Sequence, residues 1–342
     1  MKPNLLLFLV SATMLMNACD NSNKNAVAGE SRASKLHIEI IDTEALNIVD
    51  TSQQIEIIAS SLKWTEGPLY ISKGDYLLFS DIPDNKIYKW KEGQQLTTFL
   101  NPSGNTGAPQ EINEPGSNGL VLDKDGNLVL CQHGDLRIAK MAAPIDSARP
   151  VFTTLADNYK GKRLNSPNDL VFHPNGDLYF TDPPYGLGKG INDTHKELGF
   201  QGVYRLKPGG QPDLFTDELQ YPNGIAFSPD AKILYVASSD STNYLWMQYT
   251  LDSLGMAKSG RVFYEAHAYE GKHLGAPDGM KVNKAGYIFA SGPEGIWLFT
   301  PGAKLIAKLY TGQLTSNCAF SPGEKMLYIT CDDYVMRLRL RK

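Results

Sequence analysis

Six times along the chain of 342 residues a polar residue introduces a short apolar run, a turn and a second apolar run. The copies read "TEGPLYISKGDYLLFSDIPDNKIYKW", "GSNGLVLDKDGNLVLCQHGDLRI", "SPNDLVFHPNGDLYFTDPPYG", "YPNGIAFSPDAKILYVASSD", "APDGMKVNKAGYIFASGPEGIW" and "TSNCAFSPGEKMLYITCDDYVMRL". Turns such as "KDGN", "PNGD" and "KAGY" between strand-like runs are hairpin signals. The introducing residues are Glu66, Asn118, Asn168, Asn223, Asp278 and Asn317, separated by 52, 50, 55, 55 and 39 positions. Two strands are visible in each copy, and the remaining length holds two more. A repeat of this period is a four-stranded blade, so six copies predict an all-β, six-bladed β-propeller. No long segment keeps helical apolar spacing. The run "QQIEIIAS" ahead of the first copy is expected to supply an outer strand that closes the ring with the last blade.

The N-terminus has a different grammar. Lys2 precedes an apolar run from Leu5 to Leu15, with small residues before Cys19. That is the layout of an export signal, too short to span a bilayer. "MNAC" is similar to a bacterial lipobox, with Asn17 the less usual residue, so residues 1–18 read as a lipoprotein-type signal peptide and Cys19 as the lipidated residue. A plain secretion signal is the alternative. Residues 20–34, rich in Ser, Asn, Lys and Ala, read as part of a flexible tether over 19–34, leaving 35–342 for the propeller. The expected location is the periplasm or cell envelope of a bacterium, with membrane contact through the lipid alone. Cys131, Cys318 and Cys331 fit no zinc spacing and read as core residues, although Cys318 and Cys331 stand on neighbouring predicted strands. A net charge of −4 with no basic cluster argues against a nucleic-acid partner. A monomer or dimer is expected.

Innermost strands of a propeller line its channel, so the six introducing residues converge on one face. The ends of the second strands, Asp81, His133, Asp182, Asp240, Glu294 and Asp332, are expected to gather there too. Taken singly, the Asn and Asp of "PND", "PNG" and "PDG" are turn formers. Glu66 is not, and two carboxylates with two amides around one channel suit a hard divalent cation, calcium above all. Zinc, which favours Cys and His, is less suited, yet Zn2+, Mg2+ and Mn2+ stay open as alternatives.

"EGP", "SPNDLVFHPNGDLYFTDPPYGL", "PNGIAFS" and "PDGM" together resemble the gluconolactonase and senescence-marker-protein (regucalcin) family from about residue 60 to the end. The "HG" and "FTDPPYGL" elements are most similar to its bacterial gluconolactonases. The resemblance implies that Glu66, Asn168, Asn223 and Asp278 hold one catalytic divalent ion. Animal members carry a sugar-contacting Arg where this chain has Ser166, with Arg163 nearby, so sugar recognition does not carry over.

The implied chemistry is metal-assisted hydrolysis of a small sugar lactone, with Asp278 as both ligand and general base and with Asp182 or His133 as substitutes. Asn118, His133, Asp182 and Tyr185 are the expected substrate contacts, Tyr185 lying in a Gly-rich segment, Pro183–Phe200, that reads as a lid. His133 reads equally well as a rim residue bonded to a neighbouring loop, and His173 as structural. No Gly-x-Ser-x-Gly element suggests a serine nucleophile. The competing readings are another ester or phosphotriester hydrolase on the same site, and a non-catalytic ligand-binding propeller.

Overall fold

The structure, a computed structural model, describes residues 36–107, 112–269 and 274–341. The expected signal peptide, Cys19 and the tether lie outside the described residues.

The six repeats fold as six antiparallel sheets in ring order. Blade I comprises Thr65–Ile71, Tyr76–Asp81, Lys86–Trp90 and Thr97–Leu100. Blades II to IV follow the same plan, their innermost strands being Ser117–Leu122, Leu170–Phe172 and Pro222–Phe227. Blade V starts at Met280–Val282 and gains a fifth, outermost strand, His37–Ile40, paired with Leu305–Tyr310. Blade VI takes three strands from the end of the chain and its fourth, Glu56–Ala59, from before blade I. This last pairing closes the ring as the apolar run "QQIEIIAS" foreshadows. A closed ring leaves only short outer edges to pair with another chain.

The second strand of each blade is sandwiched between its neighbours. Leu128–Gln132, Leu178–Asp182 and Ile288–Gly292 are buried at every position, which explains why they read as continuous apolar runs rather than alternating ones. The core therefore lies between blades. Trp246 of blade IV and Trp297 of blade V, both essentially inaccessible, meet with ring centroids 5.6 Å apart. Cys131, Cys318 and Cys331 are separate buried thiols: Cys318 faces Ile329 across the ladder and Cys331 faces Thr315.

Hydrogen bonds near the axis join each blade to the next. Ser80 Oγ donates to Asn118 O (2.9 Å), Gly119 N to Asn168 O (2.8 Å), and Ile225 N to Asp169 Oδ2 (3.4 Å). Ser239 Oγ donates to Pro277 O (2.5 Å), Gly279 N to Ser316 O (2.7 Å), and Ser316 Oγ to Thr65 O (2.6 Å). Each joint contributes about 1 kcal/mol, and together they set the introducing residues in one tight circle.

Candidate active site

The dipeptides Glu66-Gly67, Asn118-Gly119, Asn223-Gly224 and Asp278-Gly279 owe their glycines to that circle. A β-carbon on Gly67, where φ is +51°, would lie 2.1 Å from Asn118 O. On Gly224 it would lie 2.2 Å from Asp278 O, and on Gly279 it would run into the Asn317 side chain at 1.9 Å. These contacts are far inside van der Waals distance, and the first two are with backbone that cannot rotate away. The glycines that resemble turn signals in the sequence are thus sites of close approach between blades. Glu66, Asn118 and Asn223 sit within innermost strands, each interrupted by a bulge, rather than in tight turns.

At one mouth of the ring a cavity of about 370 Å³ is lined by Glu66, Asn118, Asn168, Tyr185, Asn223 and Asp278, with Glu114 beside them. Two larger hollows, of about 440 and 750 Å³, lie elsewhere and hold none of these residues. Asn317 takes a supporting part: its Nδ2 donates to Glu66 Oε2 (3.2 Å), while its Oδ1 accepts from Lys281 Nζ (3.3 Å). Gly67 N also donates to Glu66 Oε2 (2.6 Å).

Electrostatically the mouth is strained toward negative charge. Burial, reinforced by the nearby Asp169 carboxylate, raises the Glu66 pKa from 4.5 to about 7. Burial and the charges of Glu66, Asp169 and Glu114 push Asp278 well above the usual carboxylate range. Facing them are acceptors in want of a donor. Asn223 spends its Nδ2 on Ser239 Oγ (2.9 Å), leaving its buried Oδ1 with no partner, and Asn118 Oδ1 is equally unpartnered among the described residues. Buried oxygens of this kind are costly unless something electropositive meets them. Two carboxylates and a set of amide oxygens fit a hard divalent cation; among the described residues no three His, Cys, Asp or Glu side chains form a metal cluster, so amides complete the set.

The ends of the second strands behave differently from expectation. Asp182 does not reach the cavity: its carboxylate accepts from Asn165 N (2.9 Å) and Ser166 N (2.8 Å), and burial raises its pKa to about 7. Asp81 likewise accepts from Lys63 N and Trp64 N, both at 3.2 Å. These two acids bind the loop that leads into their own blade's innermost strand. Asp240 accepts from Thr242 within its own turn (2.9 Å), and Glu294 and Asp332 are left-handed turn residues; none of the three lines the cavity. His133 is fully buried behind Glu114, with Nδ1 2.7 Å from Glu114 Oε2. It too is absent from the cavity wall.

Of the segment Pro183–Phe200, Tyr185 alone lines the cavity, stacked on Tyr221 with centroids 5.8 Å apart. Ser166 fastens this turn: its Oγ donates to Pro183 O (2.5 Å) and accepts from Gly186 N (2.9 Å). Leu198 packs instead into the core between blades II and III. Arg163 points away from the cavity, holding Glu197 (3.8 Å) and His195 O (3.2 Å). His173 stays in its hairpin turn, accepting from Asn175 N (3.2 Å). Sequence reasoning missed Glu114 and Asp169. Glu114 stands four residues before Asn118 in "EPG", whose only hint is an acid next to Pro and Gly, as in "TEGP". Asp169 hides in "PND", where every other copy but the last has glycine.

Residues 64–332 match the SMP-30/Gluconolactonase/LRE-like region, and the chain belongs to that family of gluconolactonase-like hydrolases. It is 40% identical to a gluconolactonase of Zymomonas mobilis over 301 residues, 86% of this chain and 83% of that protein. A solved gluconolactonase of Xanthomonas campestris superposes with a TM-score of 0.75 at 27% identity, covering 89% of this chain and 95% of that one. The diisopropyl-fluorophosphatase of Loligo vulgaris is 23% identical over 80% of this chain and 87% of its own length.

Proposed function

We propose that this protein is a divalent-cation-dependent lactonase that opens a gluconolactone-type ring with water. The observation that carries this reading is the meeting of two carboxylates whose pKa values desolvation raises with unpartnered buried amide oxygens on a cavity sized for a sugar. Glu66, Asn168, Asn223 and Asp278 would hold the ion, calcium by the hardness of its oxygens. When bound, such an ion supplies Lewis-acid polarisation of the lactone carbonyl and offsets the charge that develops on it. Asn317 and Gly67 N fix the Glu66 carboxylate for that task, and Ser239 fixes Asn223. Asn118 Oδ1 and the Tyr185 ring are left to contact the substrate.

The test is acid release from glucono-1,5-lactone by the purified full chain, against the spontaneous rate, with calcium and after chelation. The expected rate needs the metal and disappears in Glu66→Gln. A chelator-insensitive rate, or full activity in that variant, would remove the metal from the proposal. The likeness to the Loligo enzyme carries a second reading, hydrolysis of phosphotriesters on the same site. Faster turnover of a phosphotriester than of the lactone would favour it.

For the N-terminus we propose export and lipidation at Cys19, on the strength of "MNAC" after the apolar run. Release of Cys19→Ser from the membrane fraction is the expected result.

A further inference from the structure

Asp278 cannot easily serve as both ligand and base, because a cation on a carboxylate lowers its basicity. Asp182 is committed to backbone amides and His133 lies behind the cavity wall. One further carboxylate does face the cavity. Glu114 has its side chain about a third exposed on that wall, and one of its oxygens is held by a fully buried imidazole at 2.7 Å. The pairing is built into the fold. A β-carbon on Gly134, next to His133, would lie 2.4 Å from Pro115 O, so the two short elements "HG" and "EPG" are pressed together by the absence of that atom. Gly116 is held in the same way against Ile82 O, at 2.5 Å. His133 Nε2 has no partner among the described residues, which leaves Nδ1 to carry the hydrogen and donate it to Glu114.

Resting on the lactonase reading above, we propose that Glu114 is the general base of the reaction and that His133 is its positioning residue. Glu114 takes a proton from the attacking water as the water oxygen bonds to the lactone carbonyl carbon. The ring C–O bond then breaks, and Glu114 returns the proton to the departing ring oxygen. The sum is lactone plus water giving a hydroxy acid, with the carboxylate regenerated. The Nδ1–H bond leaves one carboxylate oxygen free and fixes its direction, the role a buried donor plays for a base that must not swing.

The experiment measures kcat and KM on glucono-1,5-lactone with saturating calcium in the full chain, and calcium affinity by calorimetry in parallel. Glu114→Gln is expected to lower kcat by about 10²–10⁴-fold with KM and calcium affinity near wild type. Added formate should restore part of the rate to Glu114→Ala. His133→Leu should lower kcat about tenfold or more, and His133→Asn, whose amide nitrogen can stand where Nδ1 stood, should recover most of it. A Glu114→Gln effect confined to KM would make Glu114 a substrate-holding group and overturn the proposal, as would an unchanged kcat. Equal losses in both His133 variants would reduce His133 to packing. A wild type that opens no lactone sinks the reading of the site and the role of Glu114 with it; an active wild type with an equally active Glu114→Gln sinks Glu114 alone.

Discussion

Glu66 holds its proton to about pH 7 in the folded chain, whereas an unfolded glutamate releases it near 4.5. The folded state therefore binds more protons between those values, and stability from this group is full below about 4.5 and falls as pH rises through 7. Asp278 acts with the same sign. In chelator, the melting temperature is expected to fall from pH 5 to pH 8, and the fall should shrink in Glu66→Gln. Calcium reverses the trend, since it binds the ionised pair. At a hundredfold excess over Kd it should raise the melting temperature by roughly 4 °C at pH 8, and far less at pH 5. A pH-independent calcium shift in a thermal scan would count against these two acids as ligands.

Loops and strands decide which of the sequence's candidates reach the cavity. Gly224→Ala places a β-carbon 2.2 Å from Asp278 O, so it should cost about 1–3 kcal/mol and weaken calcium binding together. Gly302→Ala, where the nearest atom is 3.7 Å away, is the matched control and should be neutral in denaturant melts. Asp182→Ala leaves the amides of Asn165 and Ser166 without an acceptor and should loosen the entry to Asn168, at about 1–3 kcal/mol. The repeat made Glu66, Asn118, Asn168, Asn223 and Asp278 legible, because a fixed period in a ring means a fixed radius. It could not show which way a strand-end side chain turns. Asp81 and Asp182 share the end of the blade with those residues, but unsatisfied amides next to them captured their carboxylates. Glu114 escaped notice because it sits in a connecting loop, where the period carries no information; only the folded contact with His133 marks it.

Across the whole molecule, stability rests on closing the circle. Removing residues through Ser60 takes away both His37–Ile40 and Glu56–Ala59, uncovering blade V and leaving blade VI without its outer strand. A thermal scan should show a loss of roughly 10 °C or more. The truncated chain should also lose its calcium response, although no candidate ligand is touched. A truncated chain as stable as the full one would mean that the inner contacts between blades VI and I, among them Ser316 to Thr65 and Asn317 to Glu66, hold the joint without the outer strand.

That joint also sets a clock. By the time Asp278 leaves the ribosome, every oxygen proposed to hold the ion has been made, yet the strand Tyr334–Arg339 that receives Glu56–Ala59 is some sixty residues away. At about 5–20 residues per second, the site waits roughly 3–12 s for its last blade. During that interval the early blades are an unclosed arc whose two end blades each lack a neighbour on one face. A nascent chain stalled after blade V carries every proposed ligand without the blade that closes their circle, and is expected to bind a cation more weakly than the released protein.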